Sequence, residues 1–167
     1  NGPWWAFGIE KWTKREFALW NIGRIDSVTG GPLCAAELVI SGVFDRFPRL
    51  KLVLGHLGEA LPFWMYRLDY MHLAGVRAGR YACMQPLQLK VSEYLRRNVW
   101  VTTSGMPAAP AIRYCQEVLG EDRVLYAMDY PYQYEADEVR LSDAAPMSAA
   151  TRRKFFQTNA EELFGFR

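Results

Sequence analysis

Three short apolar runs constrain this chain of 167 residues more than any other feature. Leu50 to Leu54 lies between Pro48 and Gly55. Val99 to Thr103 is β-branched and stops at Ser104-Gly105, and Val124 to Asp129 stops before Pro131. Runs of this length and composition suit strands buried in a parallel sheet. The segments around them are long enough for helices. Apolar spacing predicts helices over Leu33–Phe44, from Glu59 to about Leu73, over Leu87–Arg96, over Ala108–Leu119 with Gly120 as C-cap, and over Ser148–Thr158 before a final turn at Asn159–Phe164. A loop is expected from Gly75 to Pro86. Residues 10–20 read as a short amphipathic helix, with Trp12, Phe17 and Trp20 on its apolar side.

Strands that alternate with helices imply a parallel sheet with right-handed crossovers. Three strands cannot close a barrel, and a (β/α)8 barrel takes roughly 250 residues. The expected architecture is therefore an α/β fold, the C-terminal part of a (β/α)8 TIM barrel. We expect one partial domain over residues 1–167, with a lead-in over 1–32 and about three βα units over 33–167. The chain opens Asn1-Gly2-Pro3 rather than with Met, so we expect upstream sequence.

Half the residues are hydrophobic and 23% are charged, which excludes a disordered chain. Twenty basic and 18 acidic residues give a net charge of +2, so nothing electrostatic points to nucleic acid or to a membrane surface. No apolar run reaches membrane-spanning length, and no signal peptide is visible. Cys34, Cys83 and Cys115 are odd in number and widely spaced. That argues against a disulfide framework and suits a reducing cytoplasm.

Two of the expected strands end on unusual polar residues, His56 and Asp129. Alternation puts Leu52, Leu54 and His56 on one face, and Leu125, Ala127 and Asp129 likewise on one face. Functional groups of parallel α/β folds gather at the C-terminal ends of strands. A His and an Asp at such ends would share a pocket. The plainer reading is a hydrogen-bonded core histidine and a helix-capping aspartate. Glu59 lies three residues past His56. If the turn is helical, its carboxylate can reach back to the imidazole and fix its tautomer. No GxSxG elbow is present. His72 has no motif around it and reads as a surface histidine.

The segment Leu54-Gly55-His56-Leu57-Gly58-Glu59-Ala60-Leu61-Pro62 resembles the GHxGExxP motif of the decarboxylase branch of the amidohydrolase superfamily. That branch includes the γ-resorcylate, 2,3-dihydroxybenzoate and 5-carboxyvanillate decarboxylases. Met128-Asp129-Tyr130-Pro131-Tyr132 resembles its TD(W/Y)P(F/Y) signature, and Thr102-Thr103-Ser104-Gly105 resembles the strand end between the two. Ser41–Pro48 and Asn159–Phe164 resemble the flanking segments. The resemblance implies metal-dependent, non-oxidative decarboxylation of a hydroxylated aromatic acid. It implies that Asp129 ligates one divalent metal, Zn²⁺ or Mn²⁺, and that His56 is the catalytic histidine with Glu59 beside it. Arg67 matches an arginine that contacts substrate across a subunit interface, so a homo-oligomer, dimer or tetramer, is expected. Tyr132 matches an aromatic pocket position. Plainer roles are a surface ion pair with Asp69 or a neighbour for Arg67 and packing for Tyr132. Whether Asp129 or His56 delivers the proton stays open.

The sequence departs from the family pattern in two places. The remaining family ligands, a Glu-x-His or His-x-His pair and a later His, have no match, since the only histidines are His56 and His72. Residues 9–32 also differ, and Cys34 stands where a His often begins the helix. Two other readings therefore compete: a hydrolase of the same fold acting on a lactone or similar ring, and a non-catalytic barrel fragment that acts by association.

Overall fold

The computed structural model describes residues 30–79, 84–132 and 135–166. The expected helix over residues 10–20, the aromatic opening Pro3–Gly8 and Cys83 lie outside them. Three parallel strands form one sheet, in the order β1 (Leu52–Leu54), β2 (Val99–Thr102), β3 (Val124–Leu125). Leu54 pairs with Val101, which pairs with Val124. Val53 pairs with Trp100, and Thr102 with Leu125. The sheet is open, with β1 and β3 at its edges among the described residues.

Helix α1 (Gly30–Ile40) and the single turn α2 (Val43–Arg46) precede the sheet. The expected helix over Leu33–Phe44 is thus interrupted at Ser41-Gly42, where Gly42 takes a left-handed φ of 73°. It also starts earlier, because Pro32 falls in the first turn, where main-chain N–H groups have no helical partner to lose. After β1 comes α3 (Leu61–Arg77), with Pro62 in its first turn. Gly75 lies inside α3 rather than in a loop. A Cβ there would sit 2.5 Å from Met84 Sδ, so the glycine admits a close neighbour.

Helix α4 (Val91–Asn98) leads into β2. The Lys90 N–H donates to Glu93 Oε2 at its start (2.8 Å). Helix α5 (Ala109–Leu119) follows β2 and buries Ile112, Cys115 and Leu119 at helical spacing. Helix α6 (Ala136–Asp143) was not expected from the sequence. Its inward residues are Glu138 and Ser142, so it lacks an apolar stripe. Helix α7 (Ala149–Arg153) begins at Ser148, whose hydroxyl accepts from the Thr151 N–H (3.1 Å). It runs through one π turn at Lys154–Thr158 into α8 (Asn159–Phe164), so the expected final turn continues the helix.

The core lies between the helices and one face of the sheet. Leu54, Val99, Val101 and Val124 meet Val39, Phe44, Leu61, Tyr94, Ile112 and Phe155 there. The opposite face carries Val53, Trp100, Thr102 and Leu125.

Two buried asparagines fasten the N-terminal edge of the sheet. Asn98 Nδ2 donates to the Pro48 and Leu50 carbonyls (3.0 and 2.7 Å), ahead of β1. Asn159 Nδ2 donates to the Glu121 and Val124 carbonyls (2.7 and 2.9 Å), at the entry to β3. Neither set of carbonyls has an equal replacement once its donor is gone. Asn159→Leu in the intact protein is therefore expected to lower unfolding stability by about 2–4 kcal/mol, read as a lower urea midpoint with unchanged slope.

Candidate active site

A parallel register brings all three strand C-termini to one edge of the sheet. The segments after β1, β2 and β3 carry His56, Thr103-Ser104 and Asp129. Adjacent strands lie about 4.8 Å apart, which places the outer two roughly 10 Å from one another with β2 between them.

The register also corrects the alternation argument. Leu54 shares its face with Val101 and Val124, the helix-facing side. Leu125 shares its face with Thr102, the opposite side. Strict alternation would then put His56 and Asp129 on opposite faces. The chain avoids this by ending β1 at Leu54 and entering a turn in which His56, Leu57, Gly58 and Glu59 all have positive φ (49°, 53°, 71° and 53°). Gly58 N–H donates to the Gly55 carbonyl (2.8 Å), and Glu59 N–H to that of His56 (2.9 Å). The turn is left-handed, not the right-handed helical turn the sequence suggests. Leu57 takes the place in the core and is 1% exposed. His56 is thereby turned toward the end of β2.

There His56 Nδ1 lies 2.6 Å from the Ser104 carbonyl oxygen. A carbonyl only accepts, so Nδ1 carries the hydrogen and Nε2 is left for a proton, a metal or a substrate oxygen. The tautomer is set by a main-chain group from the neighbouring strand, a partner that sequence reasoning missed. Glu59 acts on His56 through charge. Burial pushes its carboxyl above the usual carboxylate range, and the imidazole beside it works in the opposite direction.

Beyond Leu125 the ladder gives way to side-chain bonds, so the third strand is shorter than expected. Thr103 Oγ1 donates to the Ala127 carbonyl (2.8 Å) and accepts from the Ala127 N–H (2.9 Å). Tyr126 N–H turns away to the Phe155 carbonyl (3.0 Å). Two residues past Ala127, Asp129 sits at φ 63°, and its carbonyl accepts from the Tyr132 N–H (2.9 Å). Aspartate tolerates this conformation better than most residues.

Of the other candidates, Arg67 and His72 lie on α3, and Tyr132 follows Asp129. Arg67 is exposed on α3, its guanidinium 6.0 Å from the Tyr70 ring centroid. The plain Arg67–Asp69 ion pair does not form, because Asp69 instead accepts from the Ser92 N–H and hydroxyl (2.8 and 2.7 Å) and ties α3 to α4. Tyr132 is 90% exposed. His72 Nε2 lies 3.0 Å from the Gln85 carbonyl, a local contact. Among the described residues no three His, Cys, Asp or Glu side chains come together as a metal site. The Asp129 carboxylate and the free His56 nitrogen are donor types that manganese accepts. They fit part of such a site, which needs about three protein ligands. No helix among the described residues is long and apolar enough to cross a membrane.

Residues 35–166 match the amidohydrolase family. Among solved structures, the chain is similar to 5-carboxyvanillate decarboxylase from Novosphingobium aromaticivorans, complexed with manganese and 4-hydroxy-3-methoxy-5-nitrobenzoic acid. The identity is 57% and the TM-score 0.80, covering 83% of this chain and 39% of that one. It is similar to the 5-carboxyvanillate decarboxylase of Sphingomonas paucimobilis at 45% identity and TM-score 0.76, covering 83% and 40%. Among curated relatives, γ-resorcylate decarboxylase from a Polaromonas species is 30% identical over 98% of this chain and 43% of its own length. The chain thus spans about two fifths of the curated relatives it matches.

Two outcomes follow for the His56 turn. A Cβ at Gly58 would lie 3.0 Å from Val101 Cγ1, at a φ that L side chains avoid. Gly58→Ala should cost about 1–3 kcal/mol of stability in chemical unfolding. Cys115 Sγ–H donates to the Leu57 carbonyl (3.7 Å), and burial raises its thiol to about 11. Peptide mass spectrometry should find Cys115 unalkylated by iodoacetamide at pH 8 in the folded protein, and alkylated once urea unfolds it.

Proposed function

Because this chain belongs to the amidohydrolase family, we propose that the protein works as a metal-dependent carboxy-lyase that removes CO2 from a hydroxylated aromatic acid without net oxidation. The observation that carries the reading is the 57% identity to a decarboxylase structure with bound manganese and a nitrobenzoic acid. That ligand sets a nitro group beside a phenol hydroxyl. A nitro group is planar and carries two oxygens, like a carboxylate. The substrate class we assign is therefore a benzoate with its leaving carboxylate ortho to a hydroxyl.

Direct loss of CO2 from an aromatic ring would leave an aryl carbanion. Protonating the ring carbon that bears the carboxylate avoids it. The proton adds to that carbon and interrupts the aromatic system. The bond to the carboxylate then breaks, its electron pair returns to the ring, and CO2 leaves. Hydrogen replaces the carboxylate, and no redox partner is needed.

His56 can serve this sequence because its Nδ1–H is committed to Ser104. Nε2 is then held in one orientation, either to deliver a proton or, when protonated, to hold a substrate carboxylate oxygen. Glu59 lies beside this ring, and burial holds its carboxyl above the usual carboxylate range. Asp129 supplies a metal ligand and is the second candidate for the proton. Manganese, the metal of the similar structure, would hold the carboxylate and hydroxyl oxygens and offset their charge. Its remaining ligands must come from outside the described residues.

Arg67 would contact substrate only across an interface. Helix α3 exposes Phe63, Tyr66 and Tyr70 beside it, which supports a homo-oligomer built on this helix. Tyr132 would close over a bound ring. The buried free thiol of Cys115 is in keeping with a reducing cytoplasm.

In the full-length, manganese-loaded protein, His56→Asn and Asp129→Asn should each lower kcat/KM for CO2 release from 5-carboxyvanillate by about 100-fold or more. Full activity in either variant would overturn the assigned roles.

A further inference from the structure

We propose that Thr103 is a positioning residue for the reaction, holding Asp129 in place through a side-chain clamp on Ala127. The proposal rests on the reading of Asp129 as a metal ligand. Thr103 is 1% exposed, yet its hydroxyl spends its donor and an acceptor lone pair on one residue of the next strand. A hydroxyl has one hydrogen and two lone pairs, so it is satisfied by Ala127 alone. The Thr103 N–H also donates to the Leu125 carbonyl (3.0 Å). Thus the residue just past β2 bonds both Leu125 and Ala127, two positions that lead to Asp129.

The clamp matters because regular strand pairing stops just before this segment. The ladder between β2 and β3 ends at Leu125, and the Tyr126 N–H is drawn the other way, to Phe155. Asp129 has a left-handed backbone, a conformation that persists only when its surroundings dictate it. The next residue in the chain, Ser104, accepts from His56 through its carbonyl. Thr103 and Ser104 therefore tie the segments that carry His56 and Asp129 to one strand end. Thr102 Oγ1 and Ser104 Oγ lie 2.7 Å apart on the other face and stiffen that end further.

The test uses the full-length protein and three variants. Thr103→Val keeps the shape and removes the hydroxyl, Thr103→Ser keeps the hydroxyl, and Thr103→Cys keeps a weaker donor. Manganese affinity of the metal-free protein is measured by calorimetric titration, beside kcat and KM for CO2 release. Thr103→Val should weaken manganese binding about 10- to 100-fold, as loss of a partner behind a metal ligand does elsewhere. It should lower kcat with less change in KM. Thr103→Ser should restore most of both, and Thr103→Cys should fall between. Manganese affinity and kcat within twofold of wild type in a folded Thr103→Val variant would overturn the proposal. Should the valine variant not fold, the same result in Thr103→Cys would overturn it. Wild-type protein that binds manganese but releases no CO2 from hydroxylated benzoates would sink the decarboxylase reading instead. The affinity series would still decide the role of Thr103.

Discussion

Main-chain groups at the end of a strand still need partners after the ladder stops, and at the end of β2 this requirement organises the rest of the site. As the central strand, β2 has a neighbour on each side. Toward β1 the Ser104 carbonyl accepts from an imidazole. Toward β3 the Thr103 hydroxyl takes both main-chain groups of Ala127. The bonds that close the sheet's hydrogen-bonding account are therefore the same ones that orient the candidate chemistry.

The turn at His56 shows what such placement costs. A non-glycine residue in the left-handed region loses about 1–2 kcal/mol. His56, Leu57 and Glu59 all take it. Burial of the Leu57 side chain returns about 1.5–3 kcal/mol, and its carbonyl accepts from Cys115. Gly58 takes the same φ without that penalty, at a point where Val101 and Pro62 leave little room for a side chain. The turn persists because core packing on one side and the Ser104 carbonyl on the other both require it.

Much of this architecture can be read in the residues. β-branched and apolar runs locate the strands, and Gly120 marks a helix end where the structure has it. His56 and Asp129 stand out as polar residues at strand ends. Their relation does not. Whether two side chains share a face depends on register and on the handedness of the turn, and neither leaves a periodic trace. Ser104 is invisible as a partner because it acts through its carbonyl, which every residue has. Thr102-Thr103-Ser104 is legible as a run of hydroxyls at a strand terminus, and its bonding partners are not. Helix α6 escapes detection because its inward side is Glu138 and Ser142. Gly75 misleads because a glycine that admits Met84 looks in sequence like a glycine that breaks a helix.

The two edges of the sheet are fastened by different chemistry. Asn98 and Asn159 hold the edge where strands begin, each bridging two carbonyls with one amide. The edge where strands end is held by the imidazole of His56 and the hydroxyl of Thr103. The amides of Asn98 and Asn159 make no contact with His56, Thr103 or Asp129, so a change at the rim where strands begin acts on how firmly the sheet is held and leaves the aim of the other rim to the bonds made there.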